Sequence, residues 1–153
     1  MGHVRHTGHV DTSPDDAFAL GVDVSRGPEW NNSLVAVRDV TGQLDTLGAS
    51  YVAILKLGGR QLETRWEVTG VEKPKLLELR ASAPQGGTAI STTHFEPADG
   101  GTDMTIEVDY ELPGGFAGSV ADKLFVERAI ERDVKHSMEN FKAICEAEAS
   151  VPA

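Results

Sequence analysis

Few residues in this chain are of a kind that does chemistry, and their spacing limits what that chemistry can be. Tyr51 and Tyr110 each carry a phenol able to donate a hydrogen bond to a carbonyl oxygen, which makes them the candidate catalytic groups for any proton transfer. Glu127 and Glu131 fall one turn apart in a helical pattern; a solvated helix face is the plainer account, and the mouth of a cavity is the alternative. His3 and His9 share one face of a short alternating run and His6 takes the other. No carboxylate or cysteine completes a ligand set there, so no metal is expected. His94 and His136 have acid–base capacity but sit where a surface position is the simpler expectation. Cys145 is the only cysteine, which rules out an intrachain disulfide. Beside Ile144, Glu146 and Glu148 it reads as a buried, unreactive thiol. No nucleophile elbow, P-loop or dinucleotide fingerprint occurs, and no cofactor is expected.

These residues must be positioned by a recognisable series of elements. Residues 2–11 alternate weakly, as a first strand would. Ser13-Pro14-Asp15-Asp16 then signals a helix start: Ser13 can cap, Pro14 suits the first turn, and both aspartates favour the positive end of the helix dipole. This helix runs to about Val22, and Gly27-Pro28 breaks the chain before Glu29-Trp30-Asn31. Six strand patterns follow, over 34–40, 50–57, 61–71, 76–82, 88–95 and 102–112. Their short connections are rich in Gly, Pro and Asp, so successive strands should pair as antiparallel hairpins. In the last strand Met104, Ile106, Val108, Tyr110 and Leu112 alternate with Asp103, Thr105, Glu107, Asp109 and Glu111, which means one buried face and one wet one.

A half-buried sheet must be covered, and the segment from about Ala117 to Glu148 is the cover. It has no proline, and no glycine after Gly118. Val126, Ile130, Val134, Ser137, Phe141 and Ile144 recur at helical spacing along it. The strand rows facing this helix mix large and small side chains. Tyr51, Ala53, Leu55 and Leu57 share one face, as do Leu62, Thr64, Trp66 and Val68. Leu79 faces the same way, and Ala89, Ser91, Thr93 and Phe95 form a further row. That mixture suits an apolar pocket with sparse polar anchors, to which Trp30 and Trp66 can each add an aromatic face and one N–H. By the same parity Arg65 and Arg80 point outward.

The 153 residues carry a formal net charge of −10, which repels polyanions, so no nucleic-acid partner is expected. No run approaches the length of a membrane-spanning helix, so no stable membrane insertion is expected. Met1–Val10 is polar and lacks the apolar centre of a signal peptide, which points to a cytoplasmic, single-domain protein spanning 1–153, as monomer or homodimer.

Several segments carry a resemblance. "VDTSPDDAFALGVD" (10–23), "EWNNSLVAV" (29–37), "RWEVTGVEKPKLLELR" (65–80), "FEPADGGTDMTIEVDYEL" (95–112) and "ERDVKHSMENFKAICE" (131–146) resemble, in order, the pieces of the START-related, polyketide cyclase and birch-pollen-allergen (SRPBCC) superfamily. That resemblance implies an α+β helix-grip fold. A curved antiparallel sheet of about seven strands would wrap a long C-terminal helix, with two short helices between the first two strands. It also implies a hydrophobic small-molecule ligand (a lipid, polyketide or aromatic metabolite) held between sheet and helix. The residues expected to contact it are Trp30, Tyr51, Ala53, Leu55, Thr64, Trp66, Leu79, Ser91, Thr93, Met104, Ile106, Val108, Tyr110, Ile130, Val134, Ser137 and Phe141. Two other uses of the fold are implied. One is a polyketide cyclase or aromatase working by general acid–base catalysis, whose relatives commonly place an arginine in the pocket. The other is a self-resistance protein consumed by a reactive natural product, for which Gly114, Gly115 and Gly118 would be the accessible backbone target.

Overall fold

The computed structural model describes residues 2–57, 59–84, 86–112 and 120–149. Strand β1 (Gly2–Val10) is followed by helix α1 (Pro14–Val22), a 3-10 turn (Val24–Arg26) and a short helix α2 (Gly27–Trp30). Six strands come next: β2 (Leu34–Thr41), β3 (Ser50–Leu57), β4 (Arg60–Glu72), β5 (Leu76–Ser82), β6 (Thr88–Ala98) and β7 (Gly101–Glu111). Helix α3 (Val120–Ala149) completes the series. The strands form one antiparallel sheet in the order β1-β7-β6-β5-β4-β3-β2. This is the α+β helix-grip architecture.

Local chemistry sets most element ends. Ser13 caps α1, its Oγ accepting the Asp16 N–H at 3.2 Å, with Pro14 in the first turn and Asp15 and Asp16 at the dipole's positive end. Gly27-Pro28 does not simply break the chain. Pro28 occupies the first turn of α2, where its missing N–H costs nothing, and so starts a helix that carries Trp30. Strand β6 runs past Phe95 to Ala98, beyond the sequence expectation, and the β6–β7 connection tightens to Asp99-Gly100. Both residues have positive φ (47° and 76°), the geometry of the two-residue hairpin turn that matches strand twist. Pro97 is tolerated because β5 has already ended, its Leu76 pairing with His94.

Strand β4 contains an irregularity between Val68 and Gly70. It reverses the parity of the strand, so Val71 faces the core along with Leu62, Thr64 and Val68. Arg65 lies before it and keeps its outward direction, donating from Nη2 to Ser50 Oγ at 3.4 Å. Arg80 is also exposed, 3.8 Å from Glu78.

Helix α3 does not lie over the middle of the sheet. It packs mainly on β1, where Gly8 has no side chain: a Cβ there would stand 2.9 Å from Met138 Cγ. Buried on α3 are Val126, Ile130, Ser137 and Phe141, as the spacing predicts, together with Ala129, Met138 and Cys145. Val134 and Ile144 are only partly covered. The α2 end is tied to α3 by polar contacts. Ser137 Oγ accepts the Asn32 N–H at 2.9 Å, Asn32 Nδ2 donates to Asp133 at 2.7 Å, and Asn140 Nδ2 donates to the Trp30 carbonyl at 3.2 Å. Arg26 bridges Glu29 at 2.9 Å and Glu148 at 2.6 Å. Edge-to-face ring pairs close the core beneath, Phe18 on Phe95 at 5.5 Å and Trp30 on Phe141 at 5.1 Å.

Candidate functional site: two cavities sharing a tryptophan

With α3 shifted toward β1, the concave face over β4–β6 is covered without being filled. The cross-strand register shows why. One inward row runs Tyr51, Trp66, Ala81, Ala89, Tyr110, Gly2 across six strands. Its centre is two alanines, flanked by large rings on both sides. The next row runs Val68, Leu79, Ser91, Val108, Val4, and the one after it Val71, Leu77, Thr93, Ile106, His6. Small side chains on β5 and β6 therefore leave missing volume beneath the helix layer. A packed interior has no reserve with which to close it.

Two cavities result. The first, about 120 Å³, lies over Ala81 and Ala89 and is walled by Leu55, Thr64, Trp66, Val108, Tyr110 and Ile130. Its surface is almost wholly apolar. The second, about 110 Å³, lies over Ser91 and Thr93 and is walled by Trp30, Tyr51, Leu79, Met104, Ile106 and Phe141, with Trp66 again. Trp66 is thus the wall common to both. Its indole N–H donates to Thr64 Oγ1 at 2.8 Å, and that hydroxyl donates to the Ala53 carbonyl at 3.2 Å. This two-step chain fixes the ring's orientation.

Of the residues expected to contact a ligand, all except Ala53, Val134 and Ser137 line one cavity or the other. Ala53 is packed beside Thr64, Val134 is partly covered between the two core clusters, and Ser137 spends its hydroxyl on Asn32. Ala81 and Leu77 also contribute lining, beyond the sequence expectation. The parity of β5 places both with Leu79, so the pattern held the signal; what it lacked was the value of a small residue as an absence.

The two candidate phenols differ. Tyr51 reaches the second cavity, and its hydroxyl has no hydrogen-bond partner among the described residues. Burial pushes its pKa far up, so it stays a neutral O–H donor. Tyr110 is 8% exposed, and its ring lies across Gly2, where a Cβ would collide with the ring. Its phenol is pushed up to about 12 by burial, reinforced by the carboxylates of Glu127 and Glu131. Neither helix residue lines the first cavity, and Glu131 is exposed. The Trp30 Nε1 is the one buried side-chain donor or acceptor without a partner among the described residues.

The remaining groups lie elsewhere. On the outer face His3 Nδ1 donates to Asp109 at 2.6 Å and His9 Nδ1 to Asp103 at 2.8 Å, with Asp11 3.2 Å from His9 Nε2. These are cross-strand partners in register, and among the described residues no group of three or more His, Cys, Asp or Glu is placed to hold a metal. His94, opposite Thr105, faces outward. Cys145 is buried, its thiol pushed up to about 11 by burial and by nearby Glu148, Asp16 and Glu146. Gly114, Gly115 and Gly118 lie outside the described residues. No described helix is long and apolar enough to cross a membrane.

Comparison with known proteins agrees with this architecture. A crystal structure of TTHA0849 from Thermus thermophilus superposes with a TM-score of 0.78 at 17% identity, covering 97% of this chain and 100% of that one. A START superfamily protein from Mycobacterium smegmatis gives 0.76 at 14% identity, over 95% and 97% of the two chains. DynU16, a protein of the dynemicin biosynthetic locus, gives 0.65 at 18% identity, with this chain matching 47% of its length. At such identities the shared property is the fold. Among proteins of curated function, none matches in sequence. Residues 1–146 match the family described as polyketide cyclase / dehydrase and lipid transport. The match takes in every strand and all but the last turn of α3, and the chain belongs to that family.

Proposed function

We propose that this protein binds a hydrophobic small molecule in the space between its sheet and α3, and that binding rather than turnover is its role. The observation that carries the reading is the two neighbouring cavities over Ala81, Ala89, Ser91 and Thr93, lined chiefly by apolar groups with a few hydroxyls. Each cavity compares with the cavity of about 150 Å³ that holds benzene in an engineered protein core, so each suits one aromatic ring or a short branched chain. Family membership supports a small apolar ligand of the lipid or polyketide kind.

A cyclase needs a group that polarises a carbonyl and a base that takes the proton, both facing the reacting atoms. Here Arg65 and Arg80 face outward, and the two tyrosines lie in different cavities with Trp66 common to both. This arrangement favours a carrier or sensor over an aromatase.

The test is native mass spectrometry of freshly purified protein, followed by thermal melting with a panel of lipids and aromatic metabolites. A ligand at 100 times its dissociation constant stabilises by about 2.7 kcal/mol. For a chain of this size that raises the melting temperature by about 5–10 °C. Trp66 and Trp30 should report the same event by saturable fluorescence change. No retained mass and no shift across the panel would refute the reading.

A further inference from the structure

The two cavities differ in chemistry, and the difference identifies a class of ligand. This inference rests on the binding reading above and narrows it. Around the apolar cavity Thr64 is engaged with Trp66 and Ala53, and although Ser82, Thr88 and Tyr110 also border it, almost none of its surface is polar. Around the other, the hydroxyls of Tyr51, Ser91 and Thr93 all line the void, and none is hydrogen-bonded within the described residues. The Trp30 N–H, on the same wall, is enclosed without a partner. Hydroxyls that border a cavity without a protein partner are served there by water or by an accepting oxygen of a ligand.

Charge supplies the second constraint. Among the described residues, no Lys, Arg or His lines either cavity. Each instead has one carboxylate on its lining, Asp23 for the hydroxyl-lined cavity and Glu111 for the apolar one, and Glu127 and Glu131 act on Tyr110. An anion entering here would lose its hydration and meet no cation among the described residues. The formal charge of −10 on the chain works in the same direction at long range.

We infer that the ligand is an uncharged, two-part molecule: an apolar ring or branched hydrocarbon seated over Ala81 and Ala89, joined past Trp66 to a carbonyl, ether or hydroxyl oxygen facing Tyr51, Ser91 and Thr93. Free fatty-acid anions and phosphorylated lipids should bind more weakly than such a neutral ligand. Tyr51 is the main anchor because its phenol lines this cavity and has no hydrogen-bond partner among the described residues. Trp66 sets the distance between the two parts, since its ring is the wall they share.

Three probes of nearly equal shape test this: benzylacetone, a neutral ketone; isopentylbenzene, its hydrocarbon counterpart; and hydrocinnamate, its carboxylate counterpart. Affinities come from tryptophan fluorescence at neutral pH, on the wild type, Tyr51→Phe and Thr93→Val. Benzylacetone should bind at least about tenfold more tightly than hydrocinnamate, because a desolvated carboxylate here has no partner. Tyr51→Phe should weaken benzylacetone about 3–10-fold and leave isopentylbenzene within about twofold, the size of one lost hydrogen bond. Comparing each probe with itself across variants removes the greater hydrophobicity of the hydrocarbon from the comparison. Hydrocinnamate binding as tightly as the ketone overturns the inference while the binding reading stands. So does a ketone affinity that neither Tyr51→Phe nor Thr93→Val lowers. If Tyr51→Phe does not fold, Thr93→Val alone carries the comparison and must lower the ketone's affinity. Failure of all three probes to bind overturns the inference, and the binding reading falls with it only if the lipid and aromatic panel also gives no retained mass and no thermal shift.

Discussion

Filling the apolar cavity should stabilise the protein and abolish ring binding, and Ala89→Leu is the substitution that asks for both. Ala89 stands in register between Ala81 and Tyr110, faces inward and lines the void of about 120 Å³. Leucine adds three carbons to that space. At about 0.8 kcal/mol per buried methylene the gain is about 2.4 kcal/mol. Ordering the leucine side chain costs about 0.5–1 kcal/mol in return. The expected net is a stabilisation of about 1.5–2 kcal/mol, or a rise of about 3–8 °C in melting temperature for a chain of this size. A site with no void gives the opposite sign, because forcing methylenes into a packed core costs about 1–3 kcal/mol. Differential scanning calorimetry of ligand-free protein measures the sign directly. Fluorescence titration with benzylacetone on the same sample then measures whether the ring can still enter. A melting temperature that falls, or ring binding that survives unchanged, would refute the account of β5 and β6 as the floor of a cavity.

Other consequences are open to measurement. Thr64→Val removes the acceptor of the Trp66 indole N–H and should cost about 1–3 kcal/mol, with a shift in the tryptophan emission as the ring loses its fixed orientation; unchanged emission and stability would mean that the chain through Thr64 does not hold the ring. The hydrogen bond from His9 to Asp103, with the charges of Asp103 and Asp11 behind it, raises the His9 pKa above its ordinary value near 6.5. Its stabilising effect is full below that value and disappears as pH rises through the folded pKa. The melting-temperature gap between wild type and His9→Gln should therefore narrow with rising pH above about 6.5, and a gap that widened would contradict the assignment. Cys145, buried and pushed up to about 11, should resist a thiol reagent in the native protein at neutral pH and react at once on unfolding, as a stopped assay with and without denaturant would show.

Much of this molecule is written in short-range pattern. The alternation along 102–112 fixes which face of β7 is wet, because side chains on a strand alternate with period two whatever the neighbours are. Ser13-Pro14-Asp15-Asp16 starts α1, and Asp99-Gly100 turns the last hairpin, because caps and turns are satisfied by atoms within a few residues. The helical stripe through Val126, Ile130 and Phe141 announces a helix that must cover a sheet. The outward direction of Arg65 and Arg80 follows from parity, provided that no irregularity precedes them. Parity alone could not say where the irregularity in β4 falls, and it lies after Arg65.

Tertiary structure alone decided where the empty space is. Ala81 and Ala89 look interchangeable with any small strand residue until the register sets them side by side between Trp66 and Tyr110. Gly8 looks like a weak strand residue until Met138 of α3 is found against it, drawing the helix toward β1 and off the centre of the sheet. Trp66 becomes a shared wall only because Thr64 and Ala53 hold its indole. A cavity is a property of atoms that are missing from several strands at once. Such a property depends on register and helix placement, which pattern along one strand does not encode.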